Sequence, residues 1–350
     1  MSSTIDRPDL TQLQAESAAA TATSDQLATQ FHDNMVGKSV LITGVSPSGL
    51  GAEAARVVAA HSPKLLILAS RSPAAIEEVI ANLKADASFD ATKTAIEPLK
   101  LDLASQESVR AAVASLTTSH PDLVLDVIIN NAGIMMLPSY EGVPDASGKN
   151  IEKQFGTNHI GHFLLTNLLA PALLRSKAKG GARVVSVASR GYLGSPVKAL
   201  DDASLLDDTE ANRKAYDSFA AYAQSKTANL LFTVGLSQKL AGKGVVAYSV
   251  DPGAVGTTSL SRSVPMEVQK AMGWRLEDGS LNPVAPFISA AQSVASYIKA
   301  AYDPELLSQS GATITSAAVD TGILDYAKDP ELAAKLWTLS EKLVGEKFEY

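Results

Sequence analysis

TGVSPSGLG (43–51) follows directly on the aliphatic run SVLIT (39–43) and opens into a helical pattern. A strand that ends in a glycine-rich turn and restarts as a helix is what a dinucleotide loop requires. Glycines let the backbone approach a pyrophosphate, and the helix N-terminus offers unpaired N–H donors at the positive end of its dipole. An ordinary glycine-rich turn would show the same letters, but this one opens the first strand–helix unit of the domain. The reading therefore favours a nucleotide cofactor, held by Gly44, Ser46, Gly49, Leu50 and Gly51.

Outward from this loop, LLILA (65–69), EPLKL (97–101), DVIIN (126–130), RVVSV (183–187) and VVAYSV (245–250) read as further strands. Most are apolar on both faces, as in a parallel sheet covered by helices on each side. Helical patterns fill the gaps. Ser72-Pro73 reads as an N-cap followed by proline in the first turn, and Ser105 as a second cap. Long helices are expected over about 150–176 and 215–240. This βαβ alternation predicts an α/β, Rossmann-type doubly wound parallel sheet, one domain over 36–350 with inserts on the substrate side. Residues 1–35, rich in Ala, Ser, Thr and Gln, read as a frayed tail or a loose helix on the surface. Residues 138–149, 191–214 and 257–286 break the rhythm. All three follow strands, where open α/β sheets bind their ligands.

Arg71 stands 20 residues after Gly51, just past the second strand. An NAD site usually places an Asp or Glu near here for the ribose hydroxyls. A guanidinium instead pairs with a 2′-phosphate, so NADP is expected over NAD.

Composition narrows the rest. The chain of 350 residues is 46% hydrophobic and 19% charged, enough for a sizeable core. Its net charge of −7 with no basic block argues against nucleic acid or an anionic membrane as partner. The absence of cysteine removes disulfides, thiolate metal sites and thiol nucleophiles, and suits a reducing cytoplasm. No apolar run reaches the roughly 18 residues of a membrane span. His159 and His162 sit three apart on a helix, but without a carboxylate or cysteine pattern they read as packing, and no metal is expected. Met135, Met136, Leu137, Tyr192, Tyr216, Phe219 and Trp274 follow strands or lie in the inserts. They are candidates for an apolar pocket, with about half expected to be core instead.

YAQSK (222–226) places Tyr222 and Lys226 four residues apart, on one face of a helix. Chance gives that spacing about 0.5 times in such a chain, so the pair alone decides little. In order along the chain, however, stand the glycine loop, LDL (101–103), NNAG (130–133), NHIGHFLLT (158–166), the serine closing VVSVAS at 189, YAQSK, and PGAVGT (252–257). Together these resemble the short-chain dehydrogenase/reductase family from about residue 36 to 345. NHIGHFLLTNLL and the closing AAKLWTLSEKLVGE are most similar to its retinol dehydrogenase-like and WW-domain oxidoreductase-like branch.

The resemblance implies hydride transfer between nicotinamide C4 and the carbonyl carbon of a small, apolar ketone or aldehyde. It implies Tyr222 as general acid–base and Ser189 as hydrogen-bond partner of the substrate oxygen. Lys226 would tune Tyr222 and hold the nicotinamide ribose, and Asn158 would distort its helix and hold a water behind Lys226. A free phenol has a pKa near 10; the ammonium and an oxidised nicotinamide are expected to lower it. Asp102 and Leu103 would touch adenine. Asn131, Ala132 and Gly133 would line the path to the nicotinamide, and Val255 and Thr257 would bind its carboxamide.

The sequence also departs from the family pattern. Four residues, Val45-Ser46-Pro47-Ser48, separate glycines that usually have three between them, so the loop is expected to bulge. Ala188 replaces a frequent second serine, and Asp251 stands where this branch often has His. The Ser189–Tyr222 interval of 33 residues is long, and no counterpart of the membrane-anchoring segment of some retinol dehydrogenases is expected. Pairing of two copies through the long helices is left open. Two other readings keep the fold: an epimerase or dehydratase that retains its nucleotide, and a nucleotide-binding scaffold without turnover.

Overall fold

The apolar runs assemble into one twisted sheet with helices on both faces. The computed structural model describes residues 22–195 and 206–350; the tail before residue 22 and the middle of the 191–214 insert lie outside them. Strands β1 (Ser39–Thr43), β2 (Leu65–Ser70), β3 (Ala95–Lys100), β4 (Val127–Asn130), β7 (Ala182–Val187), β8 (Val245–Asp251), β9 (Thr313–Thr315) and β10 (Ala318–Val319) lie in the order β10-β9-β8-β7-β4-β1-β2-β3. Every pairing is parallel except β9 with β10. Strand order reverses between β1 and β4, the switch point where ligands of such sheets bind.

The two-faced burial of β1 shows why its sequence has no polar alternation. Leu41 joins one apolar cluster, with Ile67, Ile128 and Phe163, while Val40 and Ile42 join the other, with Leu66, Leu68 and Ile129. Ser72 and Ser105 cap their helices as expected, each side chain accepting from the backbone N–H three residues on, and Pro73 occupies the first turn.

Three readings need correction. Residues 24–35 are not loose: Thr23 and Gln26 form a capping box for the helix Ser24–Gln30, and Ala28, Phe31 and Met35 are buried in the core. The 138–149 loop contains β5 (Gly142–Pro144), hairpinned with β6 (Asn150–Glu152). The helix expected from 150 starts only at Lys153. It passes through a π-helical turn, Gly156–Ile160, and yields at Leu169 to a second short helix, Ala170–Leu174. The helix containing YAQSK runs Ser218–Lys239. The C-terminal helix Pro330–Val344 lies across it, its Trp337 ring 5.0 Å from that of Phe163 and 6.1 Å from that of Phe232. Part of the surface that the two long helices could offer to another copy is thus covered by the chain itself.

Candidate active site

The glycine loop leaves the end of β1 and crosses the end of β4. Gly44 has φ +72, and a Cβ there would lie 2.6 Å from Ala132 Cα, so only glycine fits. The extra loop residue is absorbed by a turn in which Gly49 N–H donates to Ser46 O at 2.9 Å. Pro47 takes the second position of that turn and Ser48 the third, at φ +60. Ser48, at the tip of that turn, is exposed.

Thr43 ties this loop to NNAG. Its Oγ1 accepts from Asn131 N and Ala132 N at 2.9 and 3.0 Å, and lies 2.8 Å from His162 Nε2. His162 Nδ1 lies 3.0 Å from Asn158 O, a carbonyl that can only accept. The proton must therefore sit on Nδ1, and Nε2 accepts the Thr43 hydroxyl. His162 is more than packing: it links the phosphate-loop strand to the π-turn that carries Asn158. Asn131 completes the brace, donating Nδ2–H to Thr43 O at 2.8 Å and accepting from Tyr297 Oη at 3.1 Å.

Within the π-turn, Asn158 faces Ile134 in both directions. Its Oδ1 accepts from Ile134 N at 2.9 Å, and its Nδ2 donates to Ile134 O and to Ser225 Oγ, each at 2.9 Å. Beside it, Lys226 Nζ donates to Val187 O at 3.0 Å and lies 5.6 Å from the Tyr222 ring centre. A Cβ on Gly133 would stand 3.5 Å from Asn158 Oδ1 and 3.6 Å from Lys226 Nζ, so the chain passes close over both. The Tyr222 hydroxyl is hydrogen-bonded to Ser189, which also caps the turn Arg190–Gly194 by accepting from Gly191 N at 3.0 Å.

In the chain by itself, burial sets the electrostatics of the pair. Burial pushes Tyr222 up to about 12, against a smaller lowering by the Ser189 hydrogen bond, and the buried Asp251 carboxylate pushes it the same way. Burial brings Lys226 down to about 8, against the pull of Asp251. Burial thus holds the phenol of the chain by itself protonated through neutral pH. Asp251 is the member that sequence reasoning undervalued. It lies buried at the end of β8, 3.4 Å from Arg190 Nε, accepts from Gly253 N at 3.1 Å, and is itself raised by burial.

Two cavities meet at this cluster. The first runs along the strand ends from Ser70 and Arg71, past Gly44, Gly49 and Leu50, to Ala132, Gly133 and Lys226. The second is largely apolar, with Met135, Met136, Phe219, Trp274 and Phe287 on its walls and Ser189 and Asp251 at its floor. Tyr222, Leu50, Pro252, Thr258 and Leu260 line both. Of the expected cofactor contacts, Leu103, Asn131 and Ser46 line the first cavity and Val255 the second. Gly51 lies beneath the loop, where a Cβ would strike Gly44 O. Asp102 instead turns its Oδ1 to Ala104 N at 3.0 Å, and its neighbours Leu101 and Leu103 face the cleft. Thr257 is exposed and lines neither cavity; Thr258 takes the inward position. Of the expected pocket residues, Leu137 is buried core. Tyr192 packs with Ile323 and Ala327, and Tyr216 is held by Gln154 and Glu152.

His159 and His162 are buried neutral. Burial lowers them to about 3 and about 4 from the ordinary 6.5. As pH falls below 6.5 the unfolded chain takes up protons at these positions that the folded chain refuses, so stability must fall. The slope is at most about 1.4 kcal/mol per pH unit for each histidine. Urea midpoints at pH 7 and pH 5 test this, and a His159→Leu variant should show a shallower fall. Equal stability at both pH values would contradict the burial of two neutral imidazoles.

Among the described residues, no helix is long and apolar enough to cross a membrane. The family model described as short chain dehydrogenase matches residues 38–198. Over 315 residues the chain is 33% identical to a probable oxidoreductase of Streptomyces lividans, covering 87% of this chain and 96% of that protein. It is 34% identical to retinol dehydrogenase 12 of Mus musculus, covering 89% and 88%. Among solved structures, a gluconate 5-dehydrogenase from Burkholderia cenocepacia, in complex with NADP and tartrate, superposes with a TM-score of 0.53 at 21% identity. That superposition covers 81% of this chain and 95% of the other.

Proposed function

Since the chain belongs to the short-chain dehydrogenase family, in the neighbourhood of its retinol dehydrogenases, we propose that it is an NADP(H)-dependent reductase of apolar ketones or aldehydes. The observation that carries this reading is the position of Tyr222, where a cofactor-shaped cleft and an apolar cavity meet, with its hydroxyl on Ser189.

The residues present fit a dinucleotide. The backbone approach at Gly44 leaves no room for a Cβ, and Lys226 commits one of its three donors to Val187 O while lining the cleft. Bound there, the nicotinamide would supply or accept the hydride. The chain does the rest. Ser189 holds the substrate oxygen as it gains charge, and Tyr222, protonated through neutral pH, delivers the proton to that oxygen. Lys226 supplies a positive charge beside both and bonds the ribose. Asn158 fixes the Ile134 backbone that closes the back of the cleft. Substrates with large apolar bodies suit the Met135–Phe219–Trp274 walls.

The test is a panel of apolar aldehydes and ketones with NADPH and NADH, with retinal included because it is the aldehyde of the alcohol in a relative's name. Stoichiometric oxidation of NADPH is expected. Product formed with no net cofactor consumption would favour an epimerase, and no turnover across the panel with cofactor bound would favour a scaffold. Arg71, exposed beside Ser70 and Ser72 at the far end of the cleft, carries the NADP assignment. Arg71→Ala should weaken NADPH binding about ten-fold or more, the worth of one charge-assisted contact, and leave NADH nearly unchanged. Equal losses for both cofactors would remove the assignment.

A further inference from the structure

Arg71 is not the only cation at its end of the cleft. Arg262 lines the same cavity, on the short helical turn Ser259–Ser263. The chain carries 37 acidic and 30 basic residues, yet among the described residues neither guanidinium is paired with a carboxylate. Arg262 makes one internal bond, from Nη1 to Ser259 O at 3.0 Å, which holds the side chain against its own turn. Though the residue is exposed, desolvation of its guanidinium, and then the like charge of Arg71, lower its pKa from the ordinary arginine value. Two like charges lining one cavity with no carboxylate partner favour an anion between them, and more so once a ligand excludes water from the cleft. The pyrophosphate already has its donors in the glycine loop, farther along the cleft.

We infer that Arg262 and Arg71 together clamp the 2′-phosphate of the cofactor, and that this clamp fixes the wall of the substrate pocket. The inference rests on the NADP reading above and goes beyond it. The turn that carries Arg262 also carries Leu260, which, like Thr258 before it, lines both cavities. Gln269 donates to Ser261 O at 3.3 Å and to Val264 O at 2.8 Å, and so binds the turn to the helix Met266–Ala271. Behind that helix come Met272 and Trp274 of the apolar wall. Drawing Arg262 onto a phosphate therefore holds Leu260, Gln269 and Trp274 as one piece. Cofactor phosphate is recognised at one end of this segment and substrate at the other.

The probes are adenosine 2′,5′-bisphosphate and 5′-AMP, which share the adenosine and the 5′-phosphate and lack the nicotinamide. Calorimetry on the full chain gives affinities, and hydrogen exchange over 257–274 gives ordering. Wild type should bind the bisphosphate about 100-fold more tightly than 5′-AMP, and only the bisphosphate should slow exchange in the segment. Arg262→Ala should lose about ten-fold in bisphosphate affinity, keep 5′-AMP affinity, and lose the protection even at saturation. Arg262→Lys, which keeps the charge, should recover part of both. Arg71→Ala at saturation should lose affinity but keep the protection. If wild type does not prefer the bisphosphate, the NADP reading and this inference both fall. If Arg71→Ala abolishes the preference while Arg262→Ala binds and protects as wild type does, the clamp is wrong and the NADP reading stands.

Discussion

Tyr222→Phe is expected to keep the fold and NADPH affinity and to lose about 10²–10⁴-fold in kcat, the range for a removed general acid. The ring is buried and packs with Met135, Met136 and Val264, and phenylalanine preserves that packing. What disappears is a hydroxyl whose described partner is Ser189. Ser189 retains its bond from Gly191 N, so the turn beside it survives. Rates on the best substrate of the panel, with NADPH affinity measured separately by fluorescence, check this. Near-normal turnover would end the reading of Tyr222 as the proton donor, whatever the fold resembles.

How much of this site could be read in the letters depends on how far apart its partners are. Five of the six longer strands were legible because each is a run of four to seven mostly apolar residues buried on both faces; the sixth, the edge strand β3, buries only Leu99. β9 and β10 were not, since three and two residues carry no period. The capping box at Thr23 was legible in principle, but a polar, alanine-rich context hid it; only burial of Phe31 and Met35 reveals that this segment packs. Tyr222 and Lys226 were visible as a four-residue spacing, but the depth to which both are buried was not. Spacing predicted an ammonium beside the phenol; burial, which spacing does not show, shifts each group of the chain by itself toward its neutral form. The His162–Thr43 bond joins residues 119 apart, and Arg262 reaches the cavity lined by Arg71 from another part of the chain altogether. Pairings of that kind belong to topology, and no local pattern announces them.

Lys226→Met should produce an enzyme that is more stable and nearly inactive. The lysine is 4% exposed, and its pKa of about 8 against an ordinary 10.5 means that folding opposes its charge. Between pH 8 and 10.5 the unfolded chain binds the proton that the folded chain releases, so wild-type stability rises with pH across that window. Below pH 8 the folded chain carries the buried ammonium at a cost of order 1–3 kcal/mol. Methionine fills similar space without charge, and Val187 O, which Lys226 leaves, still accepts from Asn229 Nδ2 at 3.0 Å. The denaturation midpoint at pH 7 should therefore increase, and the gain should shrink toward pH 10.5. Function moves oppositely, because the same ammonium serves the ribose and the proton donor. Both NADPH affinity and kcat should fall, and the wild-type decline in kcat/KM for reduction as pH rises through about 8 should vanish from the residual activity. A Lys226→Met protein that is less stable than wild type at pH 7 would show that the ammonium is held by bonds strong enough to outweigh its burial. One that retains the wild-type pH profile would show that the titration belongs to another group, with the buried Asp251 carboxylate the first to examine.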